Sequence, residues 1–86
     1  MRVDDSFKIG ANVYAVCTGS EVSYGMKVSE ISVNGTVYEV KDSLANESLV
    51  GVMQLELSID TDDVLPIGEE ATIVEQESPM IEKAAS

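Results

Sequence analysis

Histidine is absent from this 86-residue chain, cysteine occurs once, and lysine and arginine together number only five. Each scarcity removes something. A single cysteine, Cys17, permits no intramolecular disulfide, so the core must hold the fold unaided or with a partner chain. With no histidine there is no neighbouring base to make Cys17 a thiolate nucleophile, and in its apolar segment it reads as a small hydrophobe. Arg2, Lys8, Lys27, Lys41 and Lys83 are scattered among sixteen acids, for a net charge of −11. Binding to a phosphate backbone needs clustered bases, so nucleic acid is not an expected ligand. No stretch approaches the roughly 18 apolar residues of a membrane helix. The opening MRVDDSFKIG places two acids where a signal peptide needs bases and then an apolar run, so a cytoplasmic protein is expected.

What remains is a chain of 44% hydrophobic residues, enough for one small globular domain. Its clearest segment is Val52–Asp60. Met53, Leu55, Leu57 and Ile59 alternate with polar residues, which predicts a strand with one buried and one wet face. Asn34-Gly35 separates two β-rich runs. Both residues tolerate positive φ, so a type I′ turn should join Lys27–Val33 and Thr36–Lys41 into a hairpin. In the first arm Ile31 and Val33 share a parity that Met26 and Val28 do not. A bulge near Ser29-Glu30, or a flaring of the strand, would reconcile them. Asn12–Thr18 predicts a strand buried on much of both faces. Glu70–Glu75 predicts a further strand and Phe7–Ile9 a short edge strand. Leu44–Leu49 reads as a polar connection with room for one helical turn, and no window supports a long helix. Residues 1–76 are thus expected to form a single-domain, all-β, antiparallel β-barrel of about five to six strands. Residues 77–86 read as a flexible tail, in which Ser78-Pro79 has the chemistry to start a short helix.

Three fragments carry a resemblance. They are VCTGSEVSYGMKV (16–28), VSEISVNGTVYEV (28–40) and VGVMQLELSIDTDDVLPIGEEATIV (50–74). In order and spacing they resemble the second, β-barrel domain of translation GTPases of the elongation factor Tu kind. The resemblance implies the barrel fold. The chain carries no GxxxxGKS or GxxxxGKT segment, hence no nucleotide cradle. Its acidity also runs against the RNA-facing role of that family.

Few residues offer chemistry. Asp60, Asp62 and Asp63 form the densest acid cluster and are the metal candidates. As a calcium loop the segment would have Leu65 where glycine is required and Ala71 where the bidentate glutamate is required, so a solvated turn is expected and no cofactor. Glu21, Glu69 and Glu70 are candidates for a carboxylate pair, but read as an exposed rim. Tyr14 and Tyr38 read as core or core-edge residues. Tyr24, beside Gly25, should be exposed and, with Met26, is the expected interaction site. Asn46-Glu47-Ser48 matches the glycosylation sequon, which is idle without secretion. The expected function is therefore non-enzymatic: a small β-barrel module contacting a protein partner or itself. An acidic nucleic-acid mimic or inhibitor, and a divalent-metal binder using Asp60–Asp63, are the alternatives.

Overall fold

The computed structural model describes residues 1–45, 48 and 50–76. Six strands follow one another: β1 Arg2–Ile9, β2 Asn12–Thr18, β3 Val28–Val33, β4 Thr36–Ala45, β5 Val52–Leu57 and β6 Ala71–Gln76. All pairings are antiparallel, in the order β1-β2-β5-β4-β3-β6. The described residues contain no helix, and so none long and apolar enough to cross a membrane.

The β3–β4 hairpin turns at Asn34-Gly35 with φ of 53° and 80°, the two positive values that a type I′ turn demands. Val33 faces Thr36 across it. The parity conflict in β3 is resolved by an irregularity at Glu30 against β6, where the register shifts on both sides of that residue. Val28, Ile31 and Val33 can then all be buried.

β4 is the longest strand, and it serves two ladders. Its first half, Thr36–Glu39, pairs with β3, and its second half, Val40–Ala45, pairs with β5. A shift at Lys41 separates the halves. Bulges bend strands and increase local twist, so β4 carries the chain from one part of the sheet to the other. The inward row Val3, Cys17, Met53 and Ala45 runs across β1, β2, β5 and β4. Each of its members is at most 3% exposed. Ile31, Val33, Leu55 and Leu57 extend the same core, and none of the fully buried residues is aromatic.

The sheet is not closed into a barrel by a continuous ladder. β1 and β6 meet only at one corner, through the isolated bridge Arg2–Glu70. There Val3 N donates to Glu69 O at 2.9 Å, Gly68 N to Val3 O at 2.7 Å and Ala71 N to Met1 O at 2.6 Å. Farther along β1 the neighbour is an irregular segment, not a strand. Ser6 Oγ accepts from Leu65 N at 2.9 Å, and Lys8 Nζ donates to Asp62 O at 3.1 Å. Residues 62–69 therefore lie along the outer edge of β1, and Leu65, 1% exposed, plugs the core behind it.

Four expectations need correction. β5 ends at Leu57, not at Asp60: Thr61 N donates to Ser58 O in a turn, and Ile59 is 69% exposed. The edge strand at Phe7–Ile9 begins at Arg2, because β2 offers a partner along its whole length, with a register shift between Val3 and Asp5 accommodating the acids. β2 buries one face only: Val13, Ala15 and Cys17 are buried, and the residues between them are half-buried. Leu44 and Ala45 continue β4 as strand; the rest of the proposed helical turn at 46, 47 and 49 lies outside the described residues. The sequon and the 77–86 tail fall wholly or partly outside them too.

Candidate interaction surface

The outward positions of β4, β3 and β6 bring three glutamates into one row. Glu39 on β4 lies opposite Glu30 on β3, and Glu30 lies opposite Glu75 on β6. Side chains directly opposite one another on neighbouring strands stand about 5 Å apart at Cβ, and like charges there repel. None of the three makes an ion pair among the described residues. The nearby Lys41 instead places its Nζ 3.6 Å from Glu56 Oε2.

The irregularities at Glu30 and Lys41 open the surface beside this row. A groove of about 490 Å³ runs past all three glutamates, with Val40 as apolar floor and the turn residue Ile59 at its rim. Ile59 is where the β5 pattern ran past the end of the strand. Its exposure follows from the turn that follows Leu57.

At β6 the row reaches the boundary of the sheet. Ala71 uses its outward N–H and C=O on Met1, donating to Met1 O and accepting from the Met1 amine at 3.1 Å. Backbone groups alternate in direction along a strand, so Ile73 turns its N–H and C=O to the same outward side. Among the described residues no backbone hydrogen bond meets that side of Thr72–Gln76. One edge of the sheet is thus covered by residues 62–69, and the other is unpaired among the described residues.

A second cluster forms around the amino terminus. The buried Met1 amine is ion-paired with Glu21 and with Glu70 Oε2 at 3.1 Å. A Cβ at Gly19 would stand 2.8 Å from Met1 Cα, so a glycine is needed for this approach. Burial alone would lower the amine's pKa; the bonds to Glu21 and Glu70 outweigh it and the pKa is raised. The bond to the amine holds the Glu21 carboxyl below its ordinary range. Glu21 and Glu70 are thus brought together around one shared cation. Glu69 contributes only its carbonyl.

The other sequence-predicted residues stand apart from the groove. Tyr24 is 71% exposed in the β2–β3 connection, while Met26 is half-buried and packs against the core. Neither lines the groove. Asp60, Asp62 and Asp63 are exposed around the turn after β5, Asp63 Oδ1 accepting from Val64 N at 2.8 Å. No group of three or more potential metal-binding side chains gathers among the described residues. Cys17 is fully buried, and desolvation pushes its thiol up to about 11. Tyr14 stacks on Phe7, ring centroids 5.6 Å apart, on the outer face, and Tyr38 packs against the core. Sequence reading missed the glutamate row, because Glu30, Glu39 and Glu75 become neighbours only through strand pairing.

No family model, no curated protein and no solved structure matches this chain.

Proposed function

We propose that this chain is a non-catalytic, cytoplasmic protein-interaction module. Its fold would be a partly open antiparallel barrel akin to the second domain of translation GTPases, and a partner's extended segment would add as a further strand along β6. One observation carries the reading: of the two sheet edges, β1 is covered by residues 62–69, whereas Thr72–Gln76 leaves its outer backbone groups unbonded among the described residues. Open edges are either protected or used, and strand addition is a common way of using them. The corner bonds between Met1, Val3 and residues 68–71 support the barrel-like reading.

Exposed acids occur on β1, β4 and β6 and in the turn after β5 rather than on one element, which speaks against the nucleic-acid mimic. Photo-crosslinking tests the reading. A photoreactive amino acid at Thr72, exposed on β6, is expected to give a discrete adduct in cell extract, whereas the same residue at exposed Ile67 gives none. An absence of adducts at Thr72, with a chain that sediments as a monomer in the extract, overturns it.

A further inference from the structure

Resting on that reading, we infer that the segment added along β6 is basic, with lysine or arginine on the side chains that share the outer face with Glu75. Three observations converge. Among the described residues no backbone group bonds the outer side of β6 at Ile73, so a strand can be added there. The face adjoining that edge carries Glu75, Glu30 and Glu39 in one row with no cation paired to them among the described residues. The groove beside the row runs past all three glutamates, and the lysine that also lines it, Lys41, places its Nζ 3.6 Å from Glu56 Oε2 and not on the row.

Geometry sets the reach. Strands in a sheet lie about 4.8 Å apart. A lysine on an added strand therefore stands beside Glu75, one strand spacing away, and can extend across toward Glu30. Like charges placed opposite one another weaken the free sheet, so a cation arriving there relieves repulsion as well as making new ion pairs. The same charges argue against a second copy as occupant. Pairing β6 with β6 would bring two Glu75 rows together on chains that each carry a net charge of −11.

The test uses the 86-residue chain and two synthetic octapeptides, one alternating lysine with valine and threonine, the other with glutamate in place of each lysine. Hydrogen exchange at the Ile73 amide reports strand addition, and titration reports affinity. The expected result is that the lysine peptide binds and slows Ile73 exchange at least tenfold, while the glutamate peptide does neither. Binding of the lysine peptide should weaken with added salt, and E30Q/E75Q should reduce its affinity at least fivefold with the fold intact by circular dichroism. Equal Ile73 protection by both peptides overturns the basic partner and leaves edge addition standing. Lysine-peptide binding without Ile73 protection overturns edge addition. Ile73 protection that rises with protein concentration and no peptide makes a second copy the occupant and overturns the inference. No binding of either peptide at millimolar concentration overturns it as well.

Discussion

Ser6 ties the irregular 62–69 segment to the sheet, and its removal should show how much that tie is worth. Its side chain is buried, donating to Tyr14 O at 2.8 Å and accepting from Leu65 N at 2.9 Å. Ser6→Ala deletes both bonds with almost no change in volume. Tyr14 O loses one donor, at a net cost of about 1 kcal/mol. Leu65 N–H loses its acceptor in a buried setting, which costs about 1–3 kcal/mol. The sum is about 2–4 kcal/mol, trimmed if water reaches the site. A domain of this size shifts its Tm by about 4–8 °C per kcal/mol, so a drop on the order of 8–30 °C is expected. Urea unfolding followed by circular dichroism measures the stability, and hydrogen exchange at the Leu65 amide localises the change. A variant within 0.5 kcal/mol of the parent, or a Leu65 amide as protected as before, would refute the reasoning.

Three further outcomes follow from other sites. Gly35→Ala puts a Cβ at φ 80° and should cost about 1–2 kcal/mol in urea titrations; a neutral result would mean the turn can change type freely. The raised pKa of the Met1 amine predicts stabilisation that is full below the ordinary amino-terminal value near 8.0 and is lost as pH rises through the folded value. The lowered pKa of Glu21 predicts stabilisation present above the ordinary value of 4.5 and lost as pH falls through the folded one. Urea midpoints against pH should therefore decline on both sides, and Glu21→Gln should flatten both limbs; an unchanged profile would discard the ion pair as a contributor. Cys17 should resist thiol reagents at pH 8 until urea unfolds the chain, because the thiol is buried and its pKa is about 11. Labelling at the rate of a free thiol in native buffer would contradict that burial.

Local chemistry made much of the fold readable. The β3–β4 turn needed two residues that accept positive φ, and Asn34-Gly35 announced it. The misfit in parity between Val28 and Ile31 located the irregularity at Glu30. β2 was recovered to the residue. What escaped depended on partners distant in sequence. Asp4 and Asp5 have weak strand character in isolation, and pairing with β2 carries the strand through them to Arg2. Ile59 kept the period of β5, but nothing in the alternation marks where the ladder stops and a turn begins. Leu65 sits in a loop flanked by Pro66, yet belongs to the core through Ser6. The glutamate row was invisible for the same reason, since its paired members, Glu30 with Glu39 and Glu30 with Glu75, are 9 and 45 positions apart, as the pairings imply.

The corner where Met1 meets Ala71 has a consequence for how the molecule assembles. The β3–β4 hairpin closes over a two-residue turn and can form on the microsecond scale. The Met1–Ala71 bonds join residues 70 positions apart, so their loop-closure entropy is met only after the intervening strands are in place. The seam along β1 is therefore expected to be the last part to form and the first to open. A fluctuation there would bare the covered edge of β1 while the hairpin, and with it the glutamate-bearing face, stays folded. Slow aggregation on storage would then start from β1, at the far end of the strand order from the surface proposed for binding.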